Sequence, residues 1–196
     1  MADLLPLFLS AQRAFGDRVH AVRDDQWQLP TPDTEWSVAD LVEHLIGENR
    51  WAAPLVHGLD LDAAAKVVEG SRKLPVDGGV GANLAEEWDE ASIAASDAFS
   101  EDGALDRTVE LSRGPTPVRT YISEMIFDHL VHAWDLGKAI GYDKPLPADV
   151  IETVYPMVRE MKSELASSGL FAPAVDMPED VSILDKLIAL TGRDPR

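Results

Sequence analysis

Along this chain apolar residues recur at intervals of three and four far more often than they alternate. From residue 3 to 23, Leu4, Leu5, Phe8, Leu9, Phe15, Val19 and Val22 form a stripe with the 3.6-residue period of an amphipathic helix, with Gln12 on the same face. After the proline-rich turn "QLPTPDTEW", a second stripe contains Val38, Leu41, Val42, Leu45 and Ile46. Ser37, with Asp40 three residues on, resembles a helix-opening box for it. "LDLDAAAKVVEG" predicts a short helix and "SRKLPVDGGVG" a loop. Asn83 with Glu86 marks the start of a helix reaching about Phe99. "LDRTVELSRG" alternates weakly and reads as extended. Thr116-Pro117 is a cap-and-first-turn pair for a long helix ending near Ile140, with Gly141 just beyond. "PADVIETVYPMVREMKSELASSG" predicts another helix, kinked at Pro156. A last short helix runs from Asp180 to Leu190 and stops at Gly192.

The expected class is therefore all-α, a four-helix bundle with additional short helices, and 196 residues form a single domain with one core. There are no repeats and no low-complexity tract. "MADLLPLFLSAQRAF" lacks a basic leader and reads as the first helix rather than a signal peptide, and no stretch has the length of a membrane span. The expected location is cytoplasmic. A formal charge of −18, from 35 acidic against 17 basic residues, disfavours nucleic acid and anionic lipid as partners. With no cysteine, any metal must be held by nitrogen and oxygen, and any thiol chemistry must use a thiol from outside.

The chemistry concentrates in "DHLVHAWDL", residues 128–136 of the long helix, which is apolar nearly all round and so belongs at the bundle's centre. Asp128 and His132 are four apart and share one face, on which Tyr121 and Met125 precede them. Buried polar groups are costly unless satisfied, and a cation can satisfy a carboxylate and an imidazole together. His44, at the edge of the second helix's stripe, is the candidate third ligand. His44, Asp128 and His132 would leave a coordination position open, as a catalytic metal requires. A hydrogen-bonded core pair is the commoner meaning of such spacing, and His129 with His132 is an alternative turn of ligands. His20 and His57 read as surface or interface residues, and the five tryptophans mostly as core or pocket wall.

Three blocks, "EWSVADLVEHLIGENRW", "FDHLVHAWDLGKAIG" and "FAPAVDMPEDVSILDKLIALTGRDP", resemble an actinobacterial metal-binding family. That family is grouped with the DinB-like proteins and the N-terminal domain of mycothiol-dependent maleylpyruvate isomerase. The resemblance runs from the first helix to the C-terminus. It implies a DinB-like bundle in which the histidine of the first block, His44, binds metal. The isomerase has a Glu and a His four apart before a V-D-L or W-D-L tripeptide, and these match Asp128 and His132. Aspartate here is one methylene shorter than glutamate, which bears on the metal's identity more than on binding. Zinc or nickel is the expected ion.

Relatives of this kind use the metal to activate a low-molecular-weight thiol such as mycothiol, so the resemblance implies a thiol-dependent transferase or isomerase. A coordinated thiol would lose its proton readily. The expected partners are a small-molecule substrate and the thiol, with a homodimer compatible. The free coordination position would open into a pocket between the second and the long helix, walled by Glu48, Trp51, Tyr121 and Met125. Asp135 would orient His132 from behind; its alternative role is a surface acid near Lys138. No counterpart of the isomerase's C-terminal portion is evident, which argues against maleylpyruvate isomerisation itself. A metal-dependent hydrolase with Glu48 as base, a non-catalytic or stress-related metal-binding protein, and a metal-free helical partner-binding module remain as alternatives.

Overall fold

The computed structural model describes residues 3–33, 35–71, 81, 83–163 and 171–196. Among these, seven α-helices account for nearly all regular structure: α1 (Leu4–Val19), α2 (Val38–Val56), α3 (Leu61–Gly70), α4 (Leu84–Ser100), α5 (Val118–Ile140), α6 (Ala148–Glu160) and α7 (Ile183–Leu190). A 3₁₀ turn at Ala104–Asp106 leads into one antiparallel hairpin, β1 (Thr108–Leu111) with β2 (Gly114–Pro117), in which Val109 faces Thr116. The weak alternation of "LDRTVELSRG" was thus an edge of real strand.

Helices α1, α2, α4 and α5 form the bundle, α2 lying chiefly along α4 and α1 along α5, while α6 and α7 pack on each other at its side. The stripes read from sequence face inward. Phe8 and Phe15 of α1, Leu41, Leu45 and Ile46 of α2, Phe99 of α4, and Ile122, Ile126, Leu130 and Leu136 of α5 are all but inaccessible. Burial of side chains of this size contributes roughly 1.5–3 kcal/mol each and dominates the fold's stability. Helix α5 is covered on several sides, which accounts for its being apolar almost all round.

Local signals set the helix ends with some shifts. Ser37 and Asp40 close a reciprocal capping box at the start of α2. Asp60 caps α3, and Ser182 caps α7, which begins at Ile183, three residues later than the expected start at Asp180. Asn83 makes no side-chain capping bond to α4. Thr116-Pro117 does not open α5 as a cap and first-turn pair. Both residues end β2, the Thr116 hydroxyl bonds the Gly114 carbonyl, and the helix begins at Val118. α1 ends at Val19, short of the expected Arg23, with His20 as its C-cap. Pro156 lies inside α6 without ending it. The predicted loop at 72–80 and the end of the predicted helix at 164–169 lie outside the described residues.

Candidate metal centre

Two helices and one loop meet at the site. α5 presents Asp128 and His132 one turn apart, and α2 presents His44 from the edge of its buried stripe. In the loop before α2, the buried Thr31 hydroxyl donates between the carbonyls of Asp33 and Trp36, both at 3.0 Å, which helps hold Trp36 in place. The Trp36 ring lies 4.6 Å from the His44 ring and 5.5 Å from the His132 ring, centroid to centroid.

The three candidate ligands converge. His44 Nε2 is 3.4 Å from Asp128 Oδ2, and His132 Nε2 is 3.3 Å from Asp128 Oδ1. One donor atom from each of the three lies within 4.8 Å of the other two. His132 is nearly buried, whereas His44 and Asp128 keep about a third of their side-chain surface exposed, 29% and 31%. The group therefore sits at the bundle's rim with an approach from solvent.

These residues fit a divalent ion on two grounds. First, metal–ligand bonds of about 2.0–2.2 Å in a tetrahedral arrangement place neighbouring donors about 3.3–3.5 Å apart. The separations of 3.4 Å (His44 to Asp128 Oδ2) and 3.3 Å (His132 to Asp128 Oδ1) are each of that size, though to different oxygens of the carboxylate, and are long for direct hydrogen bonds. Second, His132 faces a carboxylate from each ring nitrogen: Nε2 faces Asp128, and Nδ1 lies 3.0 Å from Asp135 Oδ2. Ionised carboxylates only accept, so without a cation a protonated ring suits the pair, its Nδ1–H donating to Asp135 and its Nε2–H facing Asp128 across 3.3 Å. Burial works to lower the His132 pKa, but Asp128 and Asp135 outweigh it and raise it to about 9. Burial would likewise raise the Asp128 carboxyl, yet His132 and His44 hold it well below the usual carboxylate range. A protonated His132 would put positive charge between two acids, the place a metal ion would take.

Asp135 lies behind this site, not on the surface. It has no exposed area, and Lys138 instead sits over the Trp134 ring, 5.3 Å from its centroid. Arg193 donates from Nε and Nη2 to the Asp135 carboxylate at 2.8–3.0 Å, and from Nη2 to Asp33 Oδ2 at 2.8 Å. Asp33, His132 and Asp135 also lie close enough to suggest a second cation site, but the guanidinium already occupies it.

The proposed pocket residues divide. Burial raises the Glu48 pKa, Asp128 raises it further, and His44 and His132 oppose the rise, so Glu48 borders the triad. Tyr121 is pushed far above the ordinary phenol value by burial, with Glu48, Glu124 and Asp128 adding to it, and its hydroxyl has no hydrogen-bond partner among the described residues. Met125 is buried in the core, and Trp51 is half-buried against it. The alternative ligand His129 points elsewhere. Its Nδ1–H donates to the Met125 carbonyl at 2.6 Å, and its Nε2 accepts from the Asn49 amide at 2.9 Å. His20 and His57 pair on the surface with Asp89 and Glu101.

Residues 8–137 match the model of the mycothiol maleylpyruvate isomerase N-terminal domain. The chain belongs to this family. Two uncharacterized Mycobacterium tuberculosis proteins, from strains H37Rv and CDC 1551, are each 31% identical to it over 200 residues, covering 99% of this chain and all of theirs. The fold is similar to that of a mycothiol-dependent maleylpyruvate isomerase, with a TM-score of 0.67 at 14% identity, covering 97% of this chain and 88% of that one. A mutant of that isomerase matches with a TM-score of 0.63, also at 14% identity, covering 94% of this chain and 85% of the mutant's. This member of the mycothiol maleylpyruvate isomerase N-terminal domain family therefore spans most of the isomerase's length. The expectation that it lacks a counterpart of the C-terminal portion is narrowed accordingly. Among its described residues, no helix is long and apolar enough to cross a membrane.

Sequence reasoning missed Trp36, Asp33 and Arg193. Each lies within or beside a block already singled out, Trp36 in "EWSVADLVEH" and Arg193 in "TGRDP". None of the three belongs to a helical stripe, so periodicity gave no reason to weigh them.

Proposed function

We propose that the chain binds one divalent ion, zinc or nickel, through His44, Asp128 and His132, and uses it as a transferase or isomerase dependent on a low-molecular-weight thiol. The observation that carries this reading is the pair of 3.3 and 3.4 Å separations between one carboxylate and two imidazoles from different helices. Membership of a mycothiol-dependent family supports the thiol, and the absence of cysteine is consistent with an external one.

When bound, a divalent ion supplies a Lewis acid that favours the thiolate form of a coordinated thiol. The chain's own residues do the rest. Asp135 accepts from the Nδ1–H of His132, which would leave the Nε2 lone pair free for an ion held beside Asp128. Trp36 covers the two imidazoles on one side and limits water there. Glu48, whose carboxyl burial and Asp128 push above the usual carboxylate range, stands at the border as a candidate proton-transfer group. A small electrophilic substrate would enter along the exposed faces of His44 and Asp128, in the cytoplasm where such thiols are held reduced.

The same Glu48 favours a second reading, metal-dependent hydrolysis, in which its carboxylate takes a proton from the attacking water. Two measurements separate these. Elemental analysis of protein purified without chelators or affinity-tag metals should give one ion per chain in the wild type and none in His44→Ala. Turnover of model electrophiles should then require mycothiol and fall at least tenfold in His44→Ala. Thiol-independent turnover would favour hydrolysis, and equal rates for the two proteins would end the thiol-activation reading.

A further inference from the structure

The carboxylate that orients His132 is itself gripped by a residue from the far end of the chain. Arg193 keeps only 7% of its surface exposed, and Asp135 keeps none. Its Nε donates to Asp135 Oδ1 at 2.8 Å and to Oδ2 at 3.0 Å, and its Nη2 donates to Oδ2 at 2.8 Å. The same Nη2 reaches Asp33 Oδ2 at 2.8 Å, and Nη1 donates to the Thr191 carbonyl at 3.2 Å. A planar guanidinium with this many donors fixes both the position and the plane of a carboxylate, which a lysine ammonium does not.

Oδ2 of Asp135 is shared. It accepts from Arg193 and also faces Nδ1 of His132. Wherever the fork sets that oxygen, the imidazole must follow. The second link acts on the opposite wall, because Asp33 lies in the loop whose Trp36 covers His44 and His132, and the Trp36 amide bonds the Asp33 carbonyl. The C-terminal segment is built to deliver this residue. Thr191 closes α7 by bonding the Ile188 carbonyl, and Gly192 then turns the chain at φ +79°. A Cβ at Gly192 would lie 2.5 Å from the Ala172 carbonyl oxygen, so the turn requires glycine there.

We propose that Arg193 is a positioning residue for the metal ligand His132. It acts through Asp135, and its bond to Asp33 ties the Trp36 wall to the same point. This inference rests on the metal-binding reading above. It makes the C-terminal segment part of the site although none of its residues reaches the ligand atoms.

The test is a double-mutant cycle on the full chain, with zinc as the probe, measured by competition titration of metal-free protein. Arg193→Met should weaken zinc binding about 10- to 100-fold, the usual effect of losing a group that orients a ligand. Arg193→Lys should recover little of it, because the charge returns without the fork. In an Asp135→Asn background, Arg193→Met should change zinc affinity by less than about twofold, since its route to His132 is already cut. Circular dichroism on the same samples identifies any variant that fails to fold. Should Arg193→Met do so, Arg193→Lys, which keeps the buried charge, carries the comparison in both backgrounds. Losses that multiply across the cycle, or wild-type affinity in a folded Arg193 variant, would overturn the proposal. Zinc binding no tighter in the wild type than in His44→Ala would overturn the metal reading and this inference together, an outcome distinct from the first two.

Discussion

His44 Nε2 lies 3.4 Å from Asp128 Oδ2, across the seam between α2 and α5, with both side chains open to solvent over about a third of their surface. A residue placed at a rim in this way contributes little to the core. His44→Ala should therefore cost less than about 1 kcal/mol of stability while removing the bound metal, since two ligands from one helix turn do not make a site. Metal content and a thermal melt on the same preparation check this. A large drop in melting temperature alongside retained metal would reverse the assignment, making His44 structural.

The neighbouring histidine should behave in the opposite way. His129 is fully buried among Phe8, Phe15 and Trp88, with both ring nitrogens bonded. Burial lowers its pKa to about 4, so it is a neutral core residue at ordinary pH. His129→Ala would open a cavity and strip partners from the Asn49 amide and the Met125 carbonyl. Asn49 belongs to a chain of buried polar contacts through Gln12 to Ser96. A loss of about 3–5 kcal/mol is expected, with metal content unchanged in the folded fraction. Chemical denaturation and metal analysis together test it, and loss of metal without loss of stability would mean that the wrong turn of α5 has been assigned.

What could be read from the chain and what could not divide along the same line as local and distant contacts. The stripe of Val38, Leu41, Val42, Leu45 and Ile46, and the apolar girth of α5, announce themselves because helical burial imposes a period on neighbouring residues. Asp128 and His132 were legible for that reason, being polar residues that interrupt the pattern one turn apart. Helix starts were less so. Thr116-Pro117 carries the chemistry of a helix cap, but pairing with β1 claimed both residues first. Arg193 and Asp33 are 160 positions apart and come from irregular segments, and their meeting is decided by where α7 docks. Nothing periodic in either neighbourhood records it. Asp135 shows the boundary well. Its spacing from His132 suggested the contact, and only the fold could show that its cation is Arg193 and not the neighbouring Lys138.

Glu48 separates the two chemistries proposed for the site. Its carboxyl borders the triad without being one of its three donors, and Gln in its place keeps the volume while removing the ability to exchange a proton. Glu48→Gln should leave one ion per chain. Thiol-dependent turnover should fall by no more than about tenfold if the metal alone provides the thiolate, whereas loss of a general base in a hydrolase costs on the order of 10²- to 10⁴-fold. Steady-state rates with and without mycothiol give the answer directly, and loss of the ion would show that Glu48 is itself a ligand.

The capping box at the start of α2 links the stability of the metal-bearing helix to acid. Ser37 Oγ accepts from the Asp40 amide at 3.3 Å, while the Asp40 carboxylate accepts from the Ser37 amide at 2.9 Å and from its hydroxyl at 2.5 Å. These bonds stabilise the charged carboxylate and lower its pKa from 3.8, with the hydroxyl the larger contributor. A carboxyl whose pKa is lower in the folded state contributes stability that is fully present above its unfolded value and is lost as the pH falls through its folded value. Ser37→Ala should cost about 1 kcal/mol at neutral pH. Urea melts of wild type and Ser37→Ala should run parallel above pH 3.8 and converge as the pH drops further, because protonated Asp40 gains less from the hydroxyl. Screening at this exposed position keeps the pH-dependent part small. A gap that widens toward acid would mean that the hydroxyl serves the neutral carboxyl rather than the charged one, and that the box does not hold α2 in the manner described.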